Sequence, residues 1–229
     1  MTNSQRFLDA YNKADKALHT RFDFKQSMSF TEAVRRAASV NSVVRRFEDD
    51  LESYGRLRNS IVHSSDSQKT IAEPHDDVTD RFEHIAELLA TPPFASTVSH
   101  KARTVTPSAA LDDAVKTMAR LDYSIMPVVD GGKIIGVLTN KGVALHIAKL
   151  LSDGVADISD SRVADAVADG KAYFCIMPDG PIDEVVKAFE KNRKITMIVL
   201  TKDGTPDSDI IGVITVGDLV AVNKLLEEY

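Results

Sequence analysis

The chain has 229 residues, 43% hydrophobic and 27% charged, with a formal net charge of −6. That length suits one large or two small domains with ordinary cores, and the acidic balance gives no whole-chain signal for nucleic-acid binding. The single cysteine, Cys175, excludes an internal disulfide framework and a cysteine-based zinc site. The opening residues, MTNSQRFLDAYNKADKAL, lack the apolar core of a signal peptide. No apolar run approaches the length that spans a bilayer, so a soluble, cytoplasmic protein with no membrane partner is expected.

The first ninety residues read as helices. Phe7, Leu8, Tyr11, Ala14 and Leu18 recur at helical spacing between Ser4 and His19. Ser29-Phe-Thr-Glu32 has the form of a capping box, in which side chains satisfy orphan amides at a helix start. A long pattern follows through Val40, Val44, Phe47, Leu51, Tyr54 and Ile61, and the position skipped in it is Arg58. Residues 64–72 read as a loop. A last helix is expected from Pro74, with Val78, Phe82, Ile85 and Leu89 on its apolar face, stopped at TPPF. Residues 1–93 are thus expected to form a bundle of about four helices.

After Pro93 the period changes. Short β-branched runs (SIMPVVD, KIIGVLT, ITMIVLT, DIIGVIT) alternate with helical segments, which implies an α/β domain over 94–229. This half is an internal repeat. Pro107 and Pro178, Leu111 and Ile182, Val115 and Val186, Met118 and Phe189, and Pro127 and Ile198 are each 71 apart. Gly136 and Gly212, and Thr139 and Thr215, are 76 apart, and an insertion in TKDGTPDSD accounts for the difference. Two copies, about 94–160 and 161–229, are each expected to form a β-α-β-β-α unit. Asp130-Gly-Gly-Lys133 reads as a hairpin turn. Cys175, in the apolar run AYFCIM, reads as a buried, inert thiol.

GVLTNKGV (136–143) and GVITVGDL (212–219) each place a strand end before a helix start. Unpaired first-turn amides there favour an anion, and Thr215 and Asp218, three apart, share one face. Such a pair serves either as a plain helix cap or as a carboxylate and hydroxyl for a ribose and a phosphate. On the repeat, the spacing and these motifs, residues 94–229 resemble a tandem pair of cystathionine-β-synthase (CBS) domains. The resemblance implies a regulatory adenine nucleotide (AMP, ADP, ATP or a related adenosyl ligand), with Thr215 and Asp218 on the ribose and phosphate and the base in an apolar cleft. Thr196 and Lys194 are expected at the rim. In the first copy Thr139 matches, but Gly142 stands where the acid belongs, and Ile198 replaces the usual proline of the second copy.

Arg58 sits where the helical stripe calls for an apolar residue. A buried unpaired charge is costly, so Arg58 requires a carboxylate from another helix, a snorkelling position at the helix end, or an anion in a cleft. His63 follows five residues later, ~500° further round at ~100° per residue, and so points away from Arg58 on a straight helix. The two converge only if the helix ends between them or if two chains supply them. Six arginines lie between residues 35 and 58 (Arg35, Arg36, Arg45, Arg46, Arg56 and Arg58). They read either as a phosphate-positioning stripe or as a solvated face balanced by Glu48, Asp49 and Asp50.

With R-N-x-x-x-H at the end of its long helix, the stretch 4–91 resembles the HEPN superfamily (higher eukaryotes and prokaryotes nucleotide-binding). That resemblance implies a metal-independent endoribonuclease acting on RNA, with Arg58, Asn59 and His63 as its site and no cofactor for catalysis, and both halves of the chain are expected to support a homodimer. Histidine titrates near neutrality and can exchange a proton with the 2′-hydroxyl or the leaving oxygen. Arginine offers a forked, permanent charge to the phosphate. The competing expectation is a non-enzymatic, nucleotide-binding regulatory protein whose helical domain only dimerises or binds a partner.

Overall fold

A computed structural model of the chain describes residues 1–62, 72–151, 154–167 and 172–228. It divides into two compact units. The first comprises Met1–Pro93 with Pro181–Lys187 and Asn223–Tyr229, two pieces from within the stretch read above as the second repeat. The second comprises Phe94–Gly180 and Ala188–Val222.

In the first unit, helices α1 (Asn3–Arg21), α2 (Phe30–Val40), α3 (Ser42–Arg46), α4 (Glu48–Val62) and α5 (Asp76–Ala90) give five helices among the described residues, where four were expected. The Ser29 side chain caps α2, accepting from the Glu32 amide. The long stripe is not one helix. Asn41 breaks it, because its Oδ1 accepts from the Val43 and Val44 amides at 3.0 and 3.1 Å and starts α3 afresh. Val40 leaves the apolar seam as a result and is 56% exposed.

The core lies between α1, α4 and α5, where Phe7, Tyr54 and Phe82 meet ring to ring at centroid distances of 4.5–5.8 Å. Leu18, Leu51, Ile61, Ile85 and Leu89 fill it further. Glu73 caps the start of α1, accepting from the Asn3 amide (2.7 Å) and from the Ser4 hydroxyl. The Ser4 hydroxyl bond holds the Glu73 carboxyl below the ordinary glutamate value.

Two segments from far along the chain complete this unit. Asp183, on the first turn of α9 (Ile182–Lys191), pairs with Arg21 Nη2 at 2.7 Å and accepts from Asn41 Nδ2 at 2.5 Å. The end of α10 (Leu219–Glu228) lies against Arg46, which reaches Asn223 Oδ1 at 3.2 Å, and against His84, whose ring meets the Leu226 carbonyl at 3.3 Å.

In the second unit, α6 (Leu111–Leu121), β1 (Ile125–Asp130), β2 (Lys133–Thr139) and α7 (Asn140–Leu150) make the first copy. β1 and β2 pair antiparallel, and Gly131 and Gly132 supply the two-residue turn with φ of 54° and 83°, a left-handed conformation that costs glycine little. The short α8 (Val163–Ala166) leads to the second copy, β3 (Tyr173–Ile176), α9, β4 (Met197–Thr201), β5 (Ile210–Thr215) and α10. β4 is central, parallel to β3 and antiparallel to β5.

The β-α-β-β-α order is thus complete in the second copy only. In the first, the leading strand shrinks to a single parallel bridge between Val105 and Val128. Pro107, which has no amide to donate, follows within two residues, and upstream His100 pairs instead with Val213 of β5. Cys175 is half-buried rather than buried, because β3 is an edge strand.

Candidate functional site

The turn at the end of β5 is built by its own side chains. Thr215 is extended (φ −111°, ψ 171°) and the chain then tightens into a 3-10 turn, Val216–Asp218. The Asp218 carboxylate folds back. Its Oδ2 accepts from the Thr215 amide at 2.7 Å and from the Thr215 hydroxyl at 2.9 Å. The cap reading of this pair therefore describes the geometry, and it leaves Oδ1 facing outward.

A third residue takes Oδ1: His100 Nε2 lies 2.8 Å away. Its backbone puts it there, exchanging two hydrogen bonds with Val213 at 2.9 and 2.8 Å. Gly212 permits the approach, since a Cβ at that position would stand 3.1 Å from both the His100 carbonyl oxygen and Ser99 Oγ. The glycine of the GVITVGD motif thus makes room for the segment that carries His100. The Asp218 side chain is 16% exposed and that of His100 68%.

These groups stand on a cavity of about 420 Å³ that lies wholly in the second unit. Ile125, Pro127, Met197 and Val213 give it an apolar floor, while Thr215, Asp218, His100, Lys101 and Arg103 give it polar walls. Asp122, Tyr123 and Ser124, from the turn between α6 and β1, complete the lining. A cleft of this size with a few convergent polar groups is what a small organic ligand requires. The carboxylate suits a vicinal diol, the floor suits a flat base, and the cations suit an anion.

The other residues singled out from sequence fall elsewhere. Thr139 caps α7, its Oγ1 accepting from the Gly142 amide at 2.9 Å. Gly142 has a physical reason, because a Cβ there would come within 2.3 Å of the Ala166 carbonyl oxygen. The first copy's turn is therefore covered by α8 and has no room for an acid. A second cavity, about 380 Å³, runs beside α6 and α7, and neither Thr139 nor Gly142 lines it. Thr196 and Lys194 do not line the first cavity: the Thr196 hydroxyl is spent on the Ala172 carbonyl at 3.1 Å, and Lys194 is exposed between α9 and β4. Ile198 is buried in β4, while its counterpart Pro127 reaches the cavity floor.

In the first unit, Arg58 is half-buried near the end of α4, with its guanidinium 5.4 Å from the Tyr11 ring centroid. It donates weakly to Asn59 Oδ1 at 3.4 Å, and among the described residues its buried Nε has no hydrogen-bond partner. Burial raises the Tyr11 phenol pKa, and the Arg58 charge opposes that rise. Among the described residues, the arginine on the apolar seam is thus met by an aromatic face and by no carboxylate. Asn59 is exposed, and His63 lies outside the described residues.

Four of the other five arginines are neutralised nearby: Arg35 and Arg56 by Glu52, Arg36 by Glu32, and Arg46 by Glu227. Arg45 donates to the Ala38 carbonyl. These pairings describe a solvated, ion-paired face; Glu48 adds to the field on Arg35, while Asp50 pairs with Arg81 instead.

Sequence reasoning missed His100, Lys101, Arg103 and Tyr123. The run His100-Lys101-Ala102-Arg103, three basic residue types in four near the start of the first copy, was the available signal.

The family model of the CBS domain matches residues 85–149 and 163–224. A CBS domain-containing protein of Bacillus subtilis (strain 168), YhcV, is 21% identical over 132 residues, 58% of this chain and 85% of that protein. Among solved structures, CBSX2 in complex with AMP is 16% identical, over 59% of this chain and 98% of that one, with a TM-score of 0.45. The CBS domain pair of protein MJ0100, in complex with 5′-methylthioadenosine and S-adenosyl-L-methionine, is 17% identical, over 58% and 96%, with a TM-score of 0.46. Among the described residues no helix is long and apolar enough to cross a membrane. With both copies matched, over more than half of its length, the chain belongs to the CBS domain family.

Proposed function

We propose that this protein is a regulatory sensor of an adenosyl ligand and that the ligand binds in the cavity at the end of β5. The observation that carries the reading is the meeting, in one 420 Å³ cleft, of the outward-facing Asp218 carboxylate, the Thr215 hydroxyl and an apolar floor. The base packs on Met197, Val213 and Pro127, and both ribose hydroxyls donate to the Asp218 carboxylate. Hydrogen bonds to a charged group contribute about 1.5–3 kcal/mol each, so Asp218→Asn is expected to weaken binding about 10- to 100-fold. Titration calorimetry with AMP, ADP, ATP, adenosine and S-adenosylmethionine on wild type and Asp218→Asn tests this. Affinity that survives the substitution unchanged overturns the site. A regulatory role further requires that the ligand bind two states of the protein unequally.

A second reading concerns the helical unit and is favoured by Arg58. Among the described residues its guanidinium faces no carboxylate, which leaves the charge available to an anion. On this reading the HEPN-type motif acts in a homodimer as a metal-independent endoribonuclease, with Arg58 on the scissile phosphate, His63 exchanging the proton and Asn59 orienting them. The expected result is cleavage of a mixed RNA in EDTA to ends bearing a 2′,3′-cyclic phosphate or 3′-phosphate, lost in both Arg58→Ala and His63→Ala. Intact RNA with wild type at every nucleotide concentration rejects the reading and leaves a partner-binding helical domain.

A further inference from the structure

Resting on the adenosyl reading of this cavity, we infer that His100 is a displaceable latch: it holds the Asp218 carboxylate while the site is empty, and a ligand's 5′-phosphate draws it away. The site would thereby select phosphorylated adenosine ligands over uncharged or cationic ones.

A carboxylate offers about four acceptor positions, two on each oxygen. Asp218 Oδ2 already accepts twice, from the Thr215 amide and hydroxyl. Oδ1 accepts once from His100, so one position remains. A vicinal diol that donates both hydroxyls to the carboxylate needs two. The diol can therefore engage Asp218 fully only when His100 leaves Oδ1.

The imidazole is free to do so without cost to the fold. The segment is held through its backbone by the paired bonds to Val213, and the side chain is 68% exposed, so rotation about its own bonds breaks only the contact with Asp218. What draws it away lies beside it. Lys101 and Arg103 line the same cavity from the same extended segment, and among the described residues neither has an acidic partner. The other acid on the lining, Asp122, belongs to a different segment, with Tyr123 and Ser124. A phosphate that enters beside Lys101 and Arg103 offers His100 a second anionic acceptor, with charge-assisted bonds of the kind it gives up at Asp218. A ligand without that phosphate meets the latch closed. A sulfonium ligand also meets two unpaired cations.

The test is titration calorimetry of the full chain with AMP, adenosine and S-adenosylmethionine, on wild type, His100→Ala and the double variant Lys101→Gln/Arg103→Gln. Thermal melting confirms that each variant is folded. Wild type is expected to bind AMP at least about tenfold more tightly than adenosine, a discrimination on the scale of one charge-assisted hydrogen bond. His100→Ala is expected to tighten adenosine and to weaken AMP, so that the two converge. The double variant is expected to weaken AMP alone. Adenosine bound as tightly as AMP by wild type overturns the latch, as does a His100→Ala variant that weakens both ligands together. The two readings fail differently. If adenosine binds and Asp218→Asn abolishes it while His100→Ala changes nothing, only the latch falls. If no adenosyl ligand binds wild type, the proposed function falls with it.

Discussion

Arg21→Met is expected to destabilise the helical unit by about 3–5 kcal/mol, the usual cost of removing one partner from a buried ion pair. The Asp183 side chain is 8% exposed and that of Arg21 23%. Besides the ion pair, Arg21 Nη1 donates to the Leu89 carbonyl at 3.1 Å, tying the end of α1 to the end of α5. Asp183 Oδ1 is buried and, among the described residues, has no hydrogen-bond partner, so the carboxylate depends on what reaches Oδ2. Without the guanidinium, the Asn41 amide alone remains against that charge. The penalty belongs to the stranded carboxylate rather than to lost attraction, so Arg21→Met/Asp183→Leu is expected to recover most of the stability. Urea unfolding of wild type, both single variants and the double variant measures this. A loss below about 1 kcal/mol for Arg21→Met, the size of an exposed pair, rejects the picture of a desolvated anchor.

Gly142→Asp writes the second copy's motif into the first, and it is expected to destabilise the second unit without creating a second site. Overpacking costs about 1–3 kcal/mol in typical cases and more in the worst. Here the new Cβ meets the Ala166 carbonyl oxygen at 2.3 Å, a backbone atom that cannot step aside as a side-chain end can. The added carboxylate would also lie close to that carbonyl dipole. Thermal melting and calorimetric stoichiometry together decide the matter: lower melting temperature with one ligand per chain is expected. A variant that melts with wild type and binds two ligands would show that the α8 backbone does not close this turn.

What could be read in the sequence was what the chain settles locally. Thr215 and Asp218 are three residues apart on one turn, so their mutual geometry needed no tertiary knowledge. The paired copies were legible because Gly136 and Gly212, and Thr139 and Thr215, recur at a fixed spacing. His100 was not legible, because it reaches Asp218 through a bridge to a strand far along the chain, and no local pattern reports that. Gly142 could be noticed as a departure, but its cause lies in Ala166, which only packing brings near. The break at Asn41 escaped for the opposite reason. Val40, Val44 and Phe47 keep helical spacing across it, and periodicity does not register a cap placed inside an apolar stripe. Arg58 stood out as a charge on an apolar seam, while its contact with the Tyr11 ring depends on how α1 lies against α4.

The first unit draws on three separate stretches of chain, Met1–Pro93, Pro181–Lys187 and Asn223–Tyr229. An expression clone cut at Pro93 would therefore not yield the helical portion as a freestanding cassette. It would strand Arg21 and Asn41 without Asp183, and Arg46 and His84 without the end of α10. Grafting this bundle onto another protein, or exchanging its CBS pair for a relative's, would succeed only where the incoming sequence brought an aspartate to the first turn of α9 and matching residues to the end of α10. Any exchange of the CBS pair is therefore also a change to the packing of the helical unit.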